Sequence, residues 1–162
     1  MKVDIRYGTR RNARPIIYLG DEKLRFFQSG TRFIFRNRHI FFKIDKKGSD
    51  FPAWEDHTKT EVQRWQTYKN HVFEIEDKKY IVGNYLPDIL HNGVCENNKS
   101  WCIQSKIPII LHWFDKLTRE ECKIITYIKK LMKGTDFGSG SLFRHQLGRN
   151  KDGRIVIVDF AL

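Results

Sequence analysis

The sequence predicts an α+β fold, in which an N-terminal antiparallel sheet carrying one helix is followed by C-terminal helices and a closing β-hairpin. Three observations predict it. Four short runs rich in β-branched and aromatic residues crowd the stretch from Pro15 to Ile44. Apolar residues then recur at helical spacing, first around Val62 and Trp65 and again from Ile124 to Met132. Finally, the run Ile155-Val156-Ile157-Val158 follows the turn-forming Asn150-Lys151-Asp152-Gly153, as the second arm of a hairpin would.

Taken in order, strands are expected over residues 15–19, 24–28, 31–36 and 39–44. Gly20-Asp21, Ser29-Gly30 and Asn37 supply the turns between them. A helix is expected over 58–70 with Val62 and Trp65 on its buried side, then two strands over 72–75 and 80–84 joined by Glu76-Asp77-Lys78-Lys79. Residues 86–105 contain Pro87, Gly93 and several Asn without sustained periodicity, which suggests a connection between two lobes. Residues 107–117 are expected to pack as a helix. Thr118-Arg119-Glu120-Glu121 forms a capping box before another helix, whose buried stripe is Ile124, Ile125, Ile128, Leu131 and Met132 and whose stop is Gly134. Strands over 142–147 and 154–160 close the chain. With 162 residues, one domain is expected, divided near residue 86 into 1–86 and 87–162.

Thirty Lys and Arg against nineteen Asp and Glu give a net charge of +11, which favours anionic partners: nucleotides, nucleic acid or an acidic protein face. The cations are spread out, with small clusters at Arg10, Arg11 and Arg14, at Arg32, Arg36 and Arg38, and at Lys129, Lys130 and Lys133, and most of them are expected on a solvated surface. Three cysteines without framework spacing and no opening hydrophobic stretch point to a reducing cytoplasm. The apolar run from Ile107 to Phe114 is broken by His112 and too short for a membrane span, so no membrane partner is expected. His91, Cys95 and Cys102 lack the paired spacing of a zinc site, and no P-loop or dinucleotide fingerprint occurs.

A strand lysine, a helix glutamate and two aspartates flanking a hairpin are the parts that phosphoryl transfer requires. That chemistry rests on positioning phosphates and neutralising their charge. Lys43 lies in the alternating strand Ile40-Phe41-Phe42-Lys43-Ile44, and Glu61 opens the following helix. Asp136 follows the long second helix, and Asp159 ends an apolar strand, where a carboxylate has little structural reason to be. The structural alternatives are an exposed Lys43 on a two-sided strand, a Glu61 favoured only by the helix dipole, and an Asp136 that merely forms a turn.

The order of these parts resembles the small protein-kinase-like proteins of tailed bacteriophages, over roughly residues 24–162. Ser29-Gly30-Thr31-Arg32-Phe33 is similar to an abbreviated glycine loop, Phe42-Lys43-Ile44 to the strand lysine, and Thr60-Glu61-Val62 to the helix with its partner glutamate. Residues 81–86 resemble the hinge, Asp136-Phe137-Gly138-Ser139-Gly140-Ser141 the catalytic loop, and Val158-Asp159-Phe160 the metal-binding strand end. The resemblance implies a minimal two-lobe kinase-like fold using ATP and Mg²⁺. Lys43, Glu61 and Asp136 would be catalytic, Gly30, Thr31 and Lys43 would hold the nucleotide, and Asp159 and Ser141 would hold the metal. Ser141 replaces the family's asparagine, and the His-Arg before the catalytic aspartate is Gly134-Thr135 here.

Three functions follow as expectations. The first is phosphorylation of a hydroxyl on a host protein or small molecule. The second is an inactive pseudokinase module that binds and inhibits a host protein, which for a phage-encoded chain places it in the host cytoplasm. The third is nucleic-acid binding, because Phe26, Phe27, Phe33, Phe35, Phe41 and Phe42 alternate with Arg32, Arg36 and Arg38 to give a face both aromatic and basic. Its affinity would fall steeply with salt.

Overall fold

A computed structural model describes residues 1–10, 13–30, 32–46, 57–112, 115–133 and 147–158. In chain order the elements are β1 (Val3–Arg6), β2 (Ile16–Leu19), β3 (Glu22–Lys23), β4 (Arg25–Ser29), β5 (Arg32–Arg36), β6 (Ile40–Asp45) and α1 (His57–Tyr68). There follow β7 (Val72–Ile75), β8 (Lys78–Ile81), a 3-10 turn (Val82–Tyr85), β9 (Ile89–Val94) and β10 (Ser100–Ser105). The last are β11 (Ile109–Ile110), α2 (Arg119–Lys133), β12 (Leu147–Arg149) and β13 (Ile155–Ile157). The chain divides into two compact units, one made of Met1–Val62 with Ile89–Lys106 and the other of Gln63–Asp88 with Ile107–Leu162.

The first unit is built on a five-stranded antiparallel sheet of order β4-β5-β6-β10-β9. Strand residues alternate between faces, so register decides which side chains share a side. Ile40, Phe42 and Ile44 of β6 lie on the face with Phe35, Trp101 and Ile103, where Ile17 and Leu24 complete the core. Phe42 stacks on Trp101 with ring centroids 5.5 Å apart. Fully burying each of these side chains contributes about 1.5–3 kcal/mol. Phe41, Lys43 and Asp45 point to the opposite face, together with Cys102 and Gln104 of β10. Gly93 in β9 pairs with Trp101, and a Cβ there would sit 2.7 Å from the indole ring. Only glycine lets that ring lie over the strand.

In the second unit, β7 and β8 form a hairpin whose two turn residues, Glu76 and Asp77, both have positive φ, as a primed hairpin turn requires. Phe73 stacks on Tyr127 of α2 at 4.4 Å and on Tyr80 at 5.4 Å. The buried stripe of α2 is Ile124, Ile125, Ile128 and Met132. Strands β11, β12 and β13 make a small antiparallel sheet.

The structure corrects the expected architecture. An α+β two-lobe kinase-like arrangement is not what it shows: the described residues lie mostly in antiparallel strands, divided among four separate sheets, with two α-helices. Residues 86–105, expected as a connection, form the hairpin β9–β10, and its polar composition is that of an edge strand with exposed side chains. The described residues between 107 and 117 are not helical. Pro108 disfavours helical backbone at Ile107, and Ile109 and Ile110 pair with β12 instead. Residues 81–86, expected as a hinge, are the end of β8 and the 3-10 turn.

Candidate functional site

The sheet face opposite the core of the first unit carries a buried network of charges. Lys43 sits in β6 between Ile34 of β5 and Cys102 of β10, with Asp45 two residues further on the same face. In α1, the buried residues His57, Thr58, Glu61 and Val62 form one stripe, because positions three and four apart share a helix face. Glu61 is the hub. Its Oε1 accepts a hydrogen bond from Lys43 Nζ at 2.6 Å, and its Oε2 accepts one from Arg32 Nη1 at 2.5 Å. Lys43 and Arg32 are 2% and 3% exposed and Glu61 is wholly enclosed, so both ion pairs lie out of water.

Asp45 ties the start of α1 to the sheet. Its Oδ1 accepts from the Thr58 backbone N–H at 3.1 Å and from Thr58 Oγ1 at 2.7 Å, which satisfies one of the helix's unpaired N-terminal donors. Thr58 Oγ1 in turn lies 3.5 Å from Arg32 Nη1. Burial pushes the Asp45 carboxyl above its usual range, against the lowering effect of the two Thr58 bonds and of Arg32 and His57. Burial likewise raises the Cys102 thiol to about 12, so it stays protonated at neutral pH.

The structure brings Lys43 and Glu61 into direct contact, and neither is exposed. Gly30 lies in the β4–β5 turn, where its N–H donates to the Arg32 carbonyl at 3.0 Å and no atom crowds the position of a Cβ. Thr31, Asp136, Ser141 and Asp159 lie outside the described residues, as do Gly134 and most of the strand expected over 142–147. Three members of the network were not singled out as site residues from sequence: Arg32, Asp45 and Thr58. Arg32 was grouped with solvated cations. The signal that finds it is alternation, since Arg32 and Ile34 fall on the face of Lys43 once β5 is registered against β6.

Arg36 and Arg14 do reach the surface, each with its guanidinium over an aromatic ring: Arg14 over Phe26 at 4.0 Å and Arg36 over Phe27 at 4.3 Å. In the second unit, a cavity of about 220 Å³ is lined by Tyr80, Arg119 and Lys123 among others. Its charged walls are paired with one another, Lys123 with Glu76 and Tyr80 with Glu120. None of the sequence-predicted site residues lines it.

No protein-family model matches the sequence, and no curated protein matches it. Among solved structures, the chain is similar to WbdD crystallised with a kinase inhibitor, with a TM-score of 0.53 and 13% identity. That match covers 90% of this chain and 34% of the other. The chain thus spans about a third of the length of that structure, and the likeness is one of fold alone. No helix among the described residues is long and apolar enough to cross a membrane.

Proposed function

We propose that the face bearing Lys43, Glu61 and Arg32 is a nucleotide site, and that the protein transfers the terminal phosphoryl group of ATP to a hydroxyl group. The observation that carries this reading is the 2.6 Å pair between the strand lysine and the helix glutamate, in a chain whose fold resembles that of a protein crystallised with a kinase inhibitor. In phosphoryl transfer the protein's task is to hold phosphates in line and offset their charge. Lys43 supplies the cation, Glu61 fixes its ammonium in one place, and Arg32 fixes Glu61. The pairing removes most of the rotamer freedom of a lysine side chain before any ligand arrives.

Magnesium is implied by the resemblance, and it would offset phosphate charge. Among the described residues no group of three His, Cys, Asp or Glu side chains could hold a metal, and Asp45 is turned to Thr58. Asp159 and Ser141, to which the resemblance assigns the metal, lie outside the described residues, and no step of this reading runs through a metal.

ATP at 100 times its dissociation constant stabilises a protein by about 2.7 kcal/mol, an increase of several degrees in Tm. Thermal unfolding of the wild type with and without ATP should show that increase, and Lys43→Met should abolish it and reduce ATP turnover to background. An unchanged Tm at millimolar ATP would end the nucleotide reading. The burial of the ion pairs favours a second one: with Lys43 2% exposed and both Glu61 oxygens occupied, the network also serves as a structural core, as in a binding module without turnover. In that case the wild type binds no ATP, and Lys43→Met changes stability alone.

A further inference from the structure

Gln104 is a buried amide with nothing to bond. It lies on β10, fully enclosed, and neither its Oε1 nor its Nε2 has a hydrogen-bond partner. An amide shut from water without partners costs about 1–3 kcal/mol, a cost that methionine or leucine in the same space would avoid. Its neighbours give it a direction. Register sets Gln104 opposite Phe41, and the adjacent pair along the same face is Cys102 with Lys43. Two residues of strand cover about 7 Å, which is the offset between Gln104 and the row of Lys43. The Phe41 ring has Phe27 beside it at 5.5 Å.

This face therefore presents, in order, a carboxamide with donors and an acceptor, an aromatic surface, and a cation held by a carboxylate. A purine nucleotide carries the complementary groups in the same order: a hydrogen-bonding edge, a π-face and phosphates.

We propose that Gln104 reads the base of the nucleotide, its Oε1 accepting from the 6-amino group of adenine and its Nε2 donating to the neighbouring ring nitrogen. A glutamine amide matches that edge in a bidentate pair. The assignment rests on the nucleotide reading of Lys43. Gln104 is fully enclosed in this state, so binding of the base requires the face to open.

The test removes the bond from each side. Gln104→Met deletes the amide at similar volume. Purine riboside triphosphate, which lacks the 6-amino group, deletes the donor on the ligand, and tripolyphosphate lacks the base altogether. Affinities measured by calorimetry should show the wild type preferring ATP over purine riboside triphosphate by about tenfold. In Gln104→Met that preference should vanish while tripolyphosphate binding is unchanged, and the ligand-free variant should unfold at a higher temperature than the wild type. A variant that keeps the full preference for ATP overturns the assignment, as does a wild type that binds ATP and tripolyphosphate equally well. If the wild type binds neither, the nucleotide reading of Lys43 falls, and the role of Gln104 falls with it.

Discussion

At the scale of single residues, Asp45 tests how far the network tolerates buried charge. Its carboxyl lies 2% exposed, and burial is the largest influence on it, so the folded protein holds its proton more tightly than the unfolded chain does. The sign follows from linkage. The contribution of Asp45 to stability is fully present below the unfolded value near 3.8 and is lost as pH rises through the higher folded value. Asp45→Asn keeps the acceptor for Thr58 and removes the charge. Urea unfolding at intervals from pH 3 to pH 7 should show the Asn variant gaining on the wild type as pH rises. A stability difference that is flat across that range, or largest in acid, would mean that the Arg32 side chain already compensates the carboxylate. Such a result would also recast the network as closer to a neutralised core than to a site in need of an anion.

At the scale of elements, α2 is held at its start by a reciprocal cap. The Thr118 N–H donates to Glu121 Oε1 at 2.9 Å, and the Glu121 N–H donates to Thr118 Oγ1 at 3.1 Å. Arg149 of β12 donates to the same carboxylate through Nη1 at 2.6 Å, and this bond is the main reason that the Glu121 pKa is lowered. A depressed folded value makes Glu121 stabilising above its unfolded value near 4.5, a contribution lost as pH falls through the folded one. Glu121→Ala should cost about 1–2 kcal/mol at pH 7, from the cap and a part-buried ion pair together, and much less at pH 3. Equal losses at both pH values would show that the charge plays no part.

This cap was legible in the sequence because a capping box is local: four consecutive residues specify it. The strands from Ile16 to Asp45 were legible for a similar reason, since alternation is local, whereas the partnership of Lys43 with Glu61 came from the resemblance and not from periodicity. What was not legible depends on distant pairing. Residues 86–105 show no apolar period because β9 exposes much of itself at a sheet edge, and its Gly93 has meaning only once Trp101 lies against it. Residues 107–117 carry enough Ile and Leu for a helix, yet β12 claims Ile109 and Ile110. Arg32 and Gln104 look like surface residues in a list and become buried only through register.

At the scale of the whole molecule, chain order and spatial order disagree, and the disagreement has a measurable consequence. Strand β10 lies between β6 and β9, although β6 ends at Asp45 and β10 begins at Ser100. Every residue of β6 is buried. A fragment of residues 1–86 retains β4, β5 and β6 but lacks the strand that covers one long edge of β6. It would leave unpaired backbone donors and acceptors beside Phe41, Phe42 and Ile44. Such an edge invites pairing with another copy. The fragment 1–86 should therefore aggregate or unfold without a cooperative transition, whereas a chain containing residues 1–106 keeps the complete five-stranded sheet and should unfold with a sigmoidal urea profile and a finite m-value. Size-exclusion chromatography and urea titration of the two fragments make the comparison. A monomeric, cooperatively folding 1–86 would show that the three-stranded meander is self-sufficient and that β9 and β10 are an accessory hairpin. The expected result instead makes that hairpin part of the platform on which Lys43, and Gln104 beside it, are held.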